Sequence, residues 1–268
     1  MIARVVRCGL LIAALGLLAA CTETPQVSRP AVTLRVAEAA DQAAVLDRLM
    51  NDYTADREWI TASTASTSQP EAIDRVRSGQ LDAALLHAEP AASDGVWVSA
   101  LAHDPAAIIV HPSNPIGDVT LAQLSDLFQG RTFDWTPFGG TGEVIPVSRE
   151  AGAYSRQLFE ERVMQARAVT RNAVLKASAK DVIDFVADTP GAIGYAPLSQ
   201  IDERVKAISI EGVAPTPESA ANGRYVLSSP LYVIAQSEPQ GDLREFMMWL
   251  LGDAGQTVLS QSGLGRVR

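Results

Sequence analysis

An α/β fold built on a mostly parallel sheet is what this sequence predicts, on three observations. Strand-like apolar runs alternate with amphipathic helical segments along most of the chain. The run at residues 81–86 is largely apolar, as a strand covered on both faces must be. The segments after Ala37, Ile60, Leu86 and Val147 each lead from a strand end towards a helix start, where α/β proteins bind their ligands.

The elements follow in order. Residues 32–37 alternate as a strand. Asp41 is placed to cap the next helix, whose apolar face is Val45, Leu46, Leu49, Met50 and Tyr53. Residues 58–61 read as a second strand, and residues 62–70 (ASTASTSQP) as a hydroxyl-rich loop before a helix over 71–78. Ser66, Thr67 and Ser68 are either a cap and loop or donors to a ligand. Gly79 ends that helix. After the 81–86 strand comes His87, and residues 106–111 (AAIIVH) form another strand. Thr120 caps a helix with Leu121, Leu124 and Phe128 inward, and Gly130 stops it. Phe133, Trp135 and Phe138 read as core aromatics rather than a stacking platform. Further on, residues 181–187 are helical, 191–195 (GAIGY), 206–210 and 231–236 are strands, and 243–251 and 255–260 are helices.

The first twenty residues read as a targeting signal. Arg4 and Arg7 form a positive start, and residues 10–18 are an apolar stretch too short for an ordinary membrane span. Cys21 follows Leu18, Ala19 and Ala20, an order similar to a bacterial lipobox, in which the cysteine is lipidated and becomes the mature N-terminus. Residues 21–31 then read as a flexible tether. Cleavage removes Cys8, leaving Cys21 alone and no disulfide, so core burial has to stabilise the domain. It also removes Arg4 and Arg7, so 22 basic residues become 20 against 31 acidic ones and the net charge goes from −9 to −11. Such a chain is a poor nucleic-acid binder, and any anion site must rest on local donors.

Residues 145–161 (IPVSREAGAYSRQLFEE) hold the strongest local signal. A short strand leads into a loop with Arg149, Gly152 and Ser155 and then into a helix with Leu158, Phe159 and Val163 on its apolar face. The first N–H groups of a helix lack intrahelical partners and sit at its positive end, and an arginine adds a bidentate charge. Read locally, Ser155 is either a cap or an anion donor, and Arg149 is either a solvated residue or a clamp. His103 and His111 have no paired ligand spacing, so no metal or cofactor is expected. There is no Gly-x-Ser-x-Gly elbow, Walker loop or zinc cluster, which points away from an enzyme.

Several stretches together resemble the phosphate-binding substrate-binding proteins of ABC importers. They are residues 104–135 (DPAAIIVHPSNPIGDVTLAQLSDLFQGRTFDW), the 145–161 segment, TPGAIGYAPL at 189–198, YVLSSPLYVIAQ at 225–236 and EFMMWLLGDAGQTVLSQSGLG at 245–265. The resemblance implies a two-lobed type II periplasmic-binding-protein fold, α/β, each lobe a mixed sheet flanked by helices and joined by hinge strands. Residues 32–107 with 225–268 would form one lobe and 108–224 the other, with AAIIVH and LYVIAQ near the crossovers.

By the same resemblance, the cleft binds phosphate or a similar small oxyanion and delivers it to an ABC permease. The protein would be a monomer on the extracytoplasmic face, held to the membrane only through Cys21. Arg149 stands at the family's phosphate-clamping arginine and Gly152 at its first loop glycine. Ala153 replaces a donating serine, Tyr154 a second glycine, and Ser155 a threonine. Residues 36–41, ending at Asp41, occupy the place of a Gly-Ser-Thr loop. Ser68 and Gln69 lie near a ligand-facing serine, and His87 stands where the family has a serine or aspartate. The lost hydroxyls predict weakened phosphate selectivity, or else another small ligand or a sensory or structural role.

Overall fold

Strand β1 (Val32–Ala39) is the first element of a computed structural model that describes residues 29–39 and 41–267. The predicted signal, Cys21 and most of the tether lie outside the described residues. From Ala31 onward the chain forms one compact unit.

Helix α1 (Ala43–Thr54) buries the five apolar residues that its helical spacing places on one face. Strand β2 (Ile60–Ser66) runs five residues beyond the predicted end, through hydroxyl-rich sequence read as loop. Its parallel pairing with β1, from Val32–Ile60 to Glu38–Ser66, satisfies that backbone and overrides the weak local signal. Helix α2 (Gln69–Arg77) and strand β3 (Ala83–Leu86) complete a parallel β2-β1-β3 array.

Strand β4 (Trp97–Val110) is longer than the sequence suggested. It is followed by β5 (Asp118–Val119), α3 (Leu121–Gln129), β6 (Ile145–Arg149) and α4 (Tyr154–Phe159), which continues into a single π turn. Then come β7 (Val174–Lys176), α5 (Ala179–Asp188), β8 (Ala192–Pro197), β9 (Lys206–Ile210) and α6 (Pro217–Ala221). The chain returns through β10 (Ser228–Ala235), α7 (Gly241–Leu251), α8 (Asp253–Gln261) and β11 (Gly265–Arg266).

Two halves of β4 serve two sheets. Residues 97–105 pair antiparallel with β10, which pairs with β3, and residues 106–110 pair antiparallel with β8 and β9. Strands β8, β6 and β7 are mutually parallel. The apolar clusters divide at the same place. Leu34, Leu46, Tyr53, Leu101, Leu231 and Phe246 pack together on one side, beside Val76, Leu86 and Ile234. On the other, Ile108, Phe128, Trp135, Phe159 and Tyr195 form one cluster, and Val147, Val182 and Ile183 another. Gly194 lets α5 lie close on β8, since a Cβ there would meet Val182 Cγ1 at 2.7 Å.

The aromatic reading needs one correction. Trp135 is buried, but Phe133 is 69% exposed, because it sits in a turn where only its backbone is engaged, accepting the Val144 N–H.

Candidate functional site

The carboxyl ends of β1, β2, β3, β6 and β7 converge on a cavity of about 670 Å³. Asp41, Ser68, Gln69, His87, Arg149, Ala153 and Tyr154 all line it, from segments far apart in sequence. Ser155 does not. It is buried on the inner face of α4 beside Leu158 and Phe159, and its Oγ has no partner. Thr67, Glu38, Glu150, Gln157 and Ala177 also reach the wall.

Arg149, the last residue of β6, is only 4% exposed. Its Nη2 donates to Asp41 Oδ2 at 3.2 Å and to the Ala177 carbonyl at 3.0 Å. Its Nε and Nη1 are buried without a protein partner. A buried donor left unsatisfied costs about 1–3 kcal/mol, so a guanidinium with two is a receptor waiting for an acceptor. Gly152, at φ +93, turns the chain into α4, and Ala153 is the helix N-cap with no side chain able to cap.

Asp41 does not cap α1. It takes a positive φ of 53, Gln42 becomes the N-cap residue, and the Glu38 carboxylate accepts the Gln42 N–H at 2.9 Å. That frees Asp41 to face Arg149. The start of α1, where the resemblance places a Gly-Ser-Thr loop, is thus occupied by a carboxylate of the chain itself, in the favourable position for negative charge. At α2, the Gln69 amide exchanges two hydrogen bonds with the backbone of Ala88 and ties the loop after β3 to the helix start.

His87 sits between two groups the sequence did not connect to it. Its ring stacks on Tyr154 with centroids 3.5 Å apart and planes within 4°, and its Nε2 lies 3.3 Å from Asp104 Oδ2. Tyr154 donates its hydroxyl to Ser229 Oγ, and burial pushes its pKa up to about 12. Gln42 donates to the same Asp104 oxygen at 2.6 Å and accepts from Ser199 Oγ at 3.0 Å, while Gln200 donates to the Asp41 carbonyl. Sequence reading missed Glu38, Gln42, Asp104 and Ser229. A carboxylate set before a proline in an apolar strand was the one available signal, at Asp104.

Asp104 is fully enclosed at the middle of β4, where the two sheets meet, and burial pushes its pKa from the ordinary 3.8 up to about 7, with Asp41 adding to the rise and the Gln42 bond opposing it. Between those values the native chain holds a proton that the unfolded chain has released. Stability from this group is therefore greatest at low pH, falls by up to about 1.4 kcal/mol per pH unit across that window, and levels off above it. Asp104→Asn should flatten the fall in melting temperature between about pH 4 and 7. An unchanged slope would show that another group carries it.

The family model described as a PBP superfamily domain matches residues 24–254. The chain belongs to this superfamily. Among curated relatives, the phosphate-binding protein PstS of Bacillus subtilis is 28% identical over 178 residues, covering 63% of this chain and 59% of that protein. PstS 2 of Streptococcus pneumoniae is 28% identical over 131 residues, 46% of this chain and 44% of the relative. The matched stretch thus spans about half the length of these relatives.

Solved PBP structures agree on the fold. A putative phosphate ABC transporter substrate-binding protein from Clostridium perfringens, with bound phosphate, superposes with a TM-score of 0.77 at 23% identity, over 88% of this chain and 100% of the other. An ABC-type phosphate transport receptor from Vibrio cholerae gives 0.69 at 22% identity, over 87% and 99%. The fold is the two-lobed type II binding-protein fold, a mixed-sheet α/β architecture in which β4 runs through both sheets.

Proposed function

We propose that this PBP member is a substrate-binding protein that captures a ligand bearing a small oxyanion in its inter-lobe cleft and passes it to an ABC permease, without chemistry of its own. In this reading the lobes expected at residues 32–107 with 225–268 and at 108–224 meet at β4, whose pairing changes from β10 to β8 between Pro105 and Ala106, and Tyr225 and Leu227 pack on the second lobe's side. The observation that carries the reading is Arg149, a buried guanidinium on the cleft wall with Nε and Nη1 unpartnered. Closure would join the lobes around the ligand, and the contacts Arg149–Asp41, His87–Tyr154 and Ser199–Gln42, which run between the two proposed lobes, are the links such closure would use. The relatives' names, which speak of phosphate binding and ABC transport, support both the oxyanion and the importer.

Calorimetric titration of the full chain in mild detergent with inorganic phosphate, sulfate and short organic phosphates tests this. Saturable binding of at least one is expected. Absence of heat with every one, on a folded chain, overturns the reading.

Anchoring through lipid on Cys21 is part of the same proposal, and the signal order before that residue supports it. Cys21→Ser should move the protein from the membrane to the soluble fraction. Continued fatty-acid labelling of that variant would refute the anchor.

A further inference from the structure

An apolar groove lies at the end of the strands opposite the cleft. Ala235, the last residue of β10, pairs with Ala83 at the start of β3 and with Trp97 at the start of β4. Trp97 therefore marks the amino-terminal end of the parallel array, while the cleft lies at its carboxyl end. Helix α7 is held at the Trp97 end, because Tyr53, near the end of α1, packs on Phe246 at 5.0 Å and on Trp249 at 5.2 Å. Between α7 and Trp97 is a groove of about 380 Å³ lined by Trp97, Pro239, Met247, Met248 and Leu251, together with Glu238 and Arg244.

Met248 is 66% exposed, an apolar side chain turned to solvent from a helix whose Phe246, Met247 and Leu250 are buried. Trp59, Trp97 and Trp249 are all half-buried on the same core, whereas the fourth tryptophan, Trp135, is buried in another cluster. Half-exposed indoles and an exposed methionine at one end of a domain form a surface suited to packing on a partner or on lipid. Indoles favour the membrane–water boundary in particular.

Where the domain begins decides the occupant. Val32 donates its N–H to the Trp59 carbonyl, so β1 enters the domain at this end, beside one of those tryptophans. Val32 follows Cys21 by eleven positions, a reach of at most about 40 Å. A lipid on Cys21 therefore keeps this end of the domain within reach of the bilayer. Tethering sets an effective concentration of about millimolar, so a contact too weak to recruit a free protein is populated once the chain is anchored. Charge argues for apolar insertion over headgroup attraction. Glu238, Glu245 and Asp253 are exposed on or beside α7, and the chain carries −9 overall.

We propose that this face, Trp97 with the Met248 side of α7, docks on the surface of the bilayer that holds the lipidated Cys21, its apolar side chains entering among neutral headgroups and the upper acyl chains. The pose holds the cleft wall away from the lipid. It rests on the Cys21 anchor reading and is independent of the cleft ligand.

The test places an environment-sensitive fluorophore on Met248→Cys and, as a control, on Leu175→Cys, a position 58% exposed on β7. The full lipidated chain is reconstituted in phosphatidylcholine vesicles with or without bromine on the upper acyl chain, and vesicle flotation is read in parallel. The label at position 248 is expected to shift to the blue and to lose roughly half of its emission or more to the brominated lipid. The label at position 175 should change little, and high salt should alter neither result. Flotation without quenching at 248 overturns the docking face and leaves the anchor standing. Equal quenching at 248 and 175 overturns it as well, since the domain then has no preferred pose. A blue shift at 248 that appears in vesicle-free detergent solution and grows with protein concentration assigns the groove to a second copy of the chain and overturns the bilayer as occupant. Failure to float overturns the inference together with the anchor.

Discussion

Arg149→Ala is expected to weaken ligand binding by roughly 10²- to 10⁴-fold and to leave the fold intact. The magnitude follows from removing two charge-assisted hydrogen bonds, each worth about 1.5–3 kcal/mol. The intact fold follows from what the arginine leaves behind. Asp41 is solvated enough to stand without it, and the Ala177 carbonyl loses one donor. Burying a cation with two unpartnered donors is itself unfavourable in the empty protein. The melting temperature of Arg149→Ala without ligand should therefore match or exceed that of the parent chain. Arg149→Lys should recover little of the affinity, because an ammonium cannot present the Nε–Nη1 edge as a fork. Near-parental affinity in Arg149→Ala would remove the cleft assignment; a collapsed fold would recast the residue as structural.

The second large effect concerns stability. Trp135→Ala is expected to lower the unfolding free energy by about 3–5 kcal/mol, as measured by urea denaturation. The indole is 1% exposed, packs edge-on against Phe138 at 5.8 Å, and has Gly140 close against its Cβ. Its Nε1 donates to the Gly191 carbonyl at 3.0 Å, but that carbonyl also accepts the Ile145 N–H and keeps a partner when the indole is gone. The cavity, rather than an orphaned carbonyl, then dominates the loss. Trp135→Phe retains most of the volume and should cost about 1 kcal/mol or slightly more. Equal losses for the two variants would mean that the hydrogen bond matters more than the packing. Trp135 does not line the cleft, so the variants that remain folded should bind ligand as the parent does.

The sequence by itself determined the periodic elements and several of the loops that line the cavity, because these are written in local patterns. The apolar face of α1, the Thr120 cap on α3 and the strands at Ala83–Leu86 and Lys206–Ile210 follow from spacing and burial that any α/β fold would use. The strand-loop-helix segment with Arg149 was legible for the same reason, and so were the loops that now line the cavity. Tertiary structure alone decided the rest. The extension of β2 depends on its pairing with β1, a long-range contact that hydroxyl-rich sequence does not announce. Asp41 looked like a helix cap because of its position; a positive φ and the Glu38 carboxylate gave the capping role away and turned Asp41 onto Arg149. Ser155 has the right residue type and the wrong face, since helix phase places it with Leu158 and Phe159. The pairing of His87 with Asp104 and Tyr154 joins three separate segments through the middle of β4, and burial shifts Asp104 only once those segments close around it. Charge balance in a cleft is a property of the assembled wall, so the acidic residues around Arg149 could be read only in three dimensions.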